Sequence, residues 1–184
     1  MTIYMLDGNV DFMAYGIDDH SLAERLMGTR GEGVSLPLPE DCPIKVSPRY
    51  GDAKKQPTKL GDFHRFDGRR AFSERAVDVL GLRNTGQLFP LDLDGREERF
   101  YWYWSTTVLD CLDNTKTKRL LHLVREPVFF EDHLGEVEMF TTPDDQKFQF
   151  HLYVTDAVLE KIRSAKLKGF LLRRGASDPS PWKS

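Results

Sequence analysis

Apolar and polar positions along the chain alternate between two periods. Residues 2–6, TIYML, read as a short first strand. HSLAERLMG then has a helical spacing, with Ser21 placed to cap, Glu24 completing a capping box and Gly28 as the stop. From 28 to 62 the pattern dissolves among prolines and glycines. This stretch reads as an irregular connection with one strand at 44–47, and a loop of that length suits a binding surface. FSERAVDVLG restores the helical period: Ser73 is the cap, Ala76, Val77 and Leu80 share a face, and Gly81 ends it. LFPLDLDGREERFYWYW has period two on both sides of Asp94-Gly95, a turn dipeptide, and so predicts a hairpin. In its second strand Phe100, Trp102 and Trp104 fall on one face, and Tyr101 and Tyr103 on the other.

Beyond the aromatics, TTVLDCLD fits a short helix with Val108, Cys111 and Leu112 inward, and RLLHLV fits a strand. EVEMFTT and KFQFHLYV, joined at PDDQ, read as a second hairpin. TDAVLEKIRSAKLKG is the best helix. Thr155 is its cap, Asp156 lies at its positive end, Val158, Leu159, Ile162 and Ala165 face inward, and Gly169 closes it. FLLRR returns as a last strand. Strands interleave with short helices without a βαβ rhythm. The class is therefore α+β, a mostly antiparallel sheet built from hairpins with a few short helices packed against it. Three regions follow: 1–60 with a strand, a short helix and the irregular connection; 61–174 as the main α+β domain; and 175–184 as a disordered tail.

Composition changes this picture little. The 184 residues are 40% hydrophobic and 30% charged, which is enough to fill a core. No apolar run approaches the roughly 20 residues of a membrane span, and the N-terminus does not read as a secretory signal, so a cytoplasmic location without membrane contact is expected. Cys42 and Cys111 fit a reducing compartment, and their spacing matches no metal knuckle. The net charge of −3 is unevenly placed. Glu126, Glu131, Asp132, Glu136, Glu138, Asp144 and Asp145 follow one another from 126 to 146 without a Lys or Arg, whereas 161–174 holds six basic residues and no acid. The acidic block is either a solvated face or an attractor for a basic partner, and it repels phosphate.

Candidate chemistry is sparse. GTRGEG follows a helix and opens none, so it is no nucleotide fingerprint. His20, His64, His122, His133 and His151 form no ligand spacing, and Glu131-Asp132-His133 could converge on an ion only through a sharp bend. No cofactor is therefore expected. Ser73, Ser105 and Cys111 lack an elbow sequence; Ser73 suits a cap and Cys111 a buried small residue. Asp110 and Asp113 have helical spacing and could share a face, as a metal-dependent hydrolase would need, but they equally suit a helix end. The aromatic run, with Tyr101 and Trp102 beside the C-terminal basic residues, raises a nucleic-acid-binding module. Its acidic flanks argue instead for a core strand.

Five segments in order carry a resemblance: GDFHRFDGRRAFSERAVDVL, LFPLDLDG, YWYWSTTVLDCLD, EMFTTP and HLYVTDAVLEKIRSAKLKGFLL. The stretch from Gly61 to Arg174 resembles the eleventh immunity-protein family of bacterial polymorphic toxin systems. That family likewise has an Asp-Phe step before a Ser-Glu helix, and an aromatic strand leading to Leu-Asp. It also has a short Phe strand, then a Val-Ser/Thr-Asp/Glu helix and a Gly-Leu/Phe close. The chain departs from the pattern after Asp113, where NTKTK stands, and its first 55 residues match poorly. The resemblance implies a non-enzymatic antidote that binds one toxin with a basic active-site cleft and blocks it stoichiometrically, without nucleic acid. The acids from Glu126 to Asp145, with Tyr101 and Tyr103, would form the contact surface.

Overall fold

A computed structural model describes residues 2–27, 35–49, 59–93, 96–120, 123–148 and 151–174. The Asp94-Gly95 turn, His122, the tail from 175 and parts of the 28–62 connection lie outside them. The elements run β1 (Ile3–Gly8), β2 (Ala14–Ile17), α1 (His20–Met27), β3 (Ile44–Arg49), β4 (Phe63–Phe66), β5 (Arg69–Ser73), α2 (Glu74–Leu80), β6 (Gly86–Leu93) and β7 (Phe100–Ser105). There follow β8 (Lys118–Leu120), β9 (Leu123–Glu126), β10 (Met139–Phe140), α3 (Pro143–Phe148), β11 (Tyr153–Thr155), α4 (Asp156–Ser164) and β12 (Phe170–Arg174). The fold is α+β and mostly sheet.

Six strands close into a small barrel in the order β2-β3-β6-β7-β5-β4. The expected hairpin β6–β7 forms its longest ladder, from Gly86 opposite Ser105 to Leu91 opposite Phe100. Two parallel pairings, β2 with β4 and β3 with β6, complete the closure. Alternation sends Tyr15, Ile17, Ile44, Val46, Phe66, Leu91, Leu93, Phe100 and Trp102 into the interior, where they form one cluster. Helix α1 lays Leu26 on this cluster.

The outer face of β4, β5 and β7 is covered rather than wet. Phe63, Phe72 and Tyr103 pack there with Ala76, Val77 and Leu80 of α2, Val158 and Ile162 of α4, and Leu6 and Val154 of a second sheet. That sheet is antiparallel, in the order β10-β11-β1-β12. Its far face carries Ile3, Phe140 and Tyr153 beneath Cys111 and Leu134. Strand β1 lies between β11 and β12, and β2 and β3 are barrel staves. Residues before 60 therefore share hydrogen-bonded sheets with those after 61.

Helix α2 forms as its residues dictate. The Ser73 side chain accepts from the Ala76 amide, and Gly81 takes the left-handed conformation (φ 68°) at the C-terminus. Other expectations are corrected. Asp19, not Ser21, caps α1 by accepting from the Leu22 amide at 3.0 Å. Thr155 stands at the N-cap of α4 without a side-chain capping bond, and that helix ends at Ser164. Gly169 lies beyond it at φ 91°, where a Cβ would come within 2.4 Å of the Phe63 carbonyl oxygen. Residues 106–113 are not helical. Val108 bridges Thr141 and Leu112 bridges Phe129, so long-range pairing outweighs the local period. The expected strand RLLHLV is instead the β8–β9 pair. The expected second hairpin keeps its pairing of β10 with β11, but the six residues of α3 stand between its strands.

Candidate functional site

The seven acids do not form one surface. Glu126 pairs with Lys118 at 2.8 Å, Asp144 with Arg119 at 2.6 Å, and Glu138 with Lys161. Asp132 and Glu136 are exposed and form no ion pair with a described residue. The Glu131 backbone belongs to a 3-10 turn, Glu131–His133; its side chain lies outside the described set. Asp145 is only 1% exposed. The six basic residues of 161–174 are likewise dispersed: Lys161 pairs with Glu138, Arg163 with Glu160, and Arg173 with Asp7.

Tyr101 and Tyr103 share a face as expected, but α2 and the turn after it cover that face. Tyr103 is buried, and its hydroxyl donates to the Thr85 carbonyl at 3.0 Å. Tyr101 is half-buried; its hydroxyl donates to Glu74 at 3.3 Å and its ring lies under the Arg83 guanidinium. Neither offers an open aromatic platform. Asp110 is exposed and Asp113 buried, and without a helix their spacing does not set them side by side. The Asp113 carboxylate is occupied by a turn: Oδ1 accepts from the Thr115 hydroxyl at 2.5 Å and its amide at 3.0 Å, and Oδ2 pairs with Lys116 at 3.2 Å. The Thr115 hydroxyl, chiefly, holds this carboxyl below the usual carboxylate range. Among the described residues no group of three metal-ligating side chains converges.

Two aspartates within the resembling segments serve as joints of the scaffold. Asp62 accepts from the Ser73 hydroxyl at 2.9 Å and from the Lys168 amide at 2.9 Å, so it ties the start of α2 to the approach to β12. Asp156 accepts from the Thr2 amide at 2.7 Å and from the Tyr4 hydroxyl at 3.1 Å, fixing β1 to α4. The Thr2 amide is the main reason its carboxyl lies below the ordinary value.

The chemistry that converges lies elsewhere. A cavity of about 300 Å³ opens between the β4–β5 hairpin, β1 and β12 of the second sheet, and β9. Arg65, Arg69, Arg70, Arg125 and Arg173 line it with His151, and Asp7 is the one carboxylate among its lining residues. Asp7 pairs with Arg173 at 2.9 Å and with Arg65 at 3.3 Å. Behind the wall, Asp145 accepts from His151 Nδ1 at 2.7 Å, the Tyr153 hydroxyl at 2.9 Å and the Thr142 hydroxyl at 2.7 Å. A carboxylate only accepts, so Nδ1 carries the proton and the orientation of the ring is fixed. Burial pulls Arg70 down to about 10, opposed by the nearby Asp145 and Asp7, so it stays charged at neutral pH. Burial, and then the Asp145 charge, push the Tyr153 phenol up. Arg69 is 2% exposed, with its guanidinium over Trp102 and its Nε without an acceptor among the described residues. Sequence reasoning missed this cavity because its lining arginines and His151 come from five separate segments. The one local signal was that Asp145 and His151 are close in sequence.

No family model and no curated protein matches the chain.

Proposed function

We propose that the chain is a non-enzymatic immunity protein of the cytoplasm, one that neutralises a cognate toxin by occupying it in a stoichiometric complex. The ordered set of segments between Gly61 and Arg174 carries this reading. Those segments supply the frame, through joints such as Asp62–Ser73. A frame of this kind leaves partner choice to surfaces outside it. Asp132 and Glu136 are the acids that would meet a basic cleft without first losing an ion-pair partner among the described residues. Glu126, Glu138 and Asp144 would exchange Lys118, Lys161 and Arg119 for cations on the toxin. Asp145 and Tyr103 stay inside and take no part. Charge attraction of this kind speeds association and is screened by salt.

Co-expression with a candidate toxin domain taken from a neighbouring gene tests the reading. Surviving cells and co-purification of the two proteins are expected. Continued killing, with no co-purification, would remove the proposal.

A further inference from the structure

We propose that the cavity between the β4–β5 hairpin and the second sheet is a binding site for a phosphate group. Arg65, Arg70, Arg125 and Arg173 line it against one carboxylate, Asp7, which is already shared by Arg65 and Arg173. Counting Asp145 behind the wall, four cations face two anions, an excess of about two charges at the described positions. A doubly charged oxyanion balances that excess better than a carboxylate does, and guanidinium forks match its oxygens bidentately.

Arg69, next to Arg70 on β5, points the other way, into the barrel over Trp102, and takes no part. His151, held by Asp145 through Nδ1, completes the wall on the side of the second sheet. Arg125 stands at the exposed rim on β9, where a ligand would meet it first. The same chemistry is offered by the free ion and by a phosphomonoester, and 300 Å³ admits either phosphate alone or part of a larger ester. The site does not depend on the immunity reading.

Calorimetric titration of the full chain at low salt, with inorganic phosphate and separately with a nucleoside 5′-monophosphate, tests it. Saturable binding of at least one is expected, with sodium chloride at equal ionic strength giving none. Tighter binding of the nucleotide assigns the ester as ligand, and equal or tighter binding of phosphate assigns the free ion. The exposed rim variant Arg125→Gln should keep the wild-type melting temperature and weaken binding by about tenfold, the loss of one charge-assisted contact. Arg65→Gln should do the same, and Asp132→Asn, outside the cavity, should leave affinity unchanged. Absence of binding by both ligands, or equal affinity in wild type and the Arg65→Gln/Arg125→Gln double variant, would overturn the proposal.

Discussion

Asp144 and Asp145 are neighbours in one acidic run, yet the fold assigns them opposite roles, and paired Asp→Asn substitutions should separate these. Asp144 is exposed and pairs at the surface with Arg119. Its loss should cost no more than about 1 kcal/mol, the usual range for exposed pairs. Asp145 is 1% exposed and accepts from three donors, on Thr142, His151 and Tyr153, while facing the buried Arg70 cation. An amide in its place cannot accept at both heavy atoms, and it removes the carboxylate charge that most opposes the buried Arg70 cation. Removing one member of a buried pair costs about 3–5 kcal/mol. For a chain of this size that corresponds to a fall in Tm of about 6–20 °C, against less than about 4 °C for Asp144→Asn. Urea unfolding at pH 7 followed by tryptophan fluorescence measures both. Arg70→Met in the Asp145→Asn background should cost less than the sum of the singles, because the cation is removed together with the carboxylate that opposes it. If Asp145→Asn unfolds within about 1 kcal/mol of wild type, the buried-pair reasoning fails.

Three further outcomes follow from the same contacts. Ser73→Ala removes both the α2 cap and a donor to Asp62, and should lower unfolding free energy by about 1–2 kcal/mol in urea titration. Gly81→Ala places a side chain at φ 68° in open space, so only the backbone conformation resists; about 1 kcal/mol is expected from the same titration. The Asp113 carboxyl is lower in the folded chain than in the unfolded one. Its contribution is therefore present above the ordinary carboxylate value and is lost as pH falls through the lowered one. The gap in Tm between wild type and Asp113→Asn should be constant from pH 7 to about 5 and should narrow below about 4. A gap that widens on acidification would contradict the assignment.

What could be read from the sequence was local and self-consistent. Ser73 and Gly81 bracket a helix whose own residues cap it, and the period of LFPLDL and FYWYW carries the β6–β7 register without outside help. The second Asp-Gly, Asp67-Gly68, carries the same turn signal, and both residues adopt positive φ in the β4–β5 hairpin. It was obscured because Arg69 and Arg70 interrupt the apolar period, although both are buried. Likewise Pro143, Asp144 and Asp145 form a helix-start pattern that opens α3, masked by the strand-like residues on either side. The segment 106–113 has a helical period, but its partners Thr141 and Phe129 lie far along the chain. Barrel closure, and the gathering of Arg65, Arg70, Arg125, Arg173 and His151 on one cavity, are tertiary facts with no local trace.

Stoichiometric occlusion is tested most directly by titrating this chain into a fixed amount of a candidate toxin domain from a neighbouring gene while following toxin activity. The proposed function predicts a linear loss of activity that ends at a fixed molar ratio and coincides with a complex on size-exclusion chromatography. Undiminished activity at excess antidote would contradict it, and so would inactivation by far less than one equivalent, which would mark a catalytic rather than an occluding antidote.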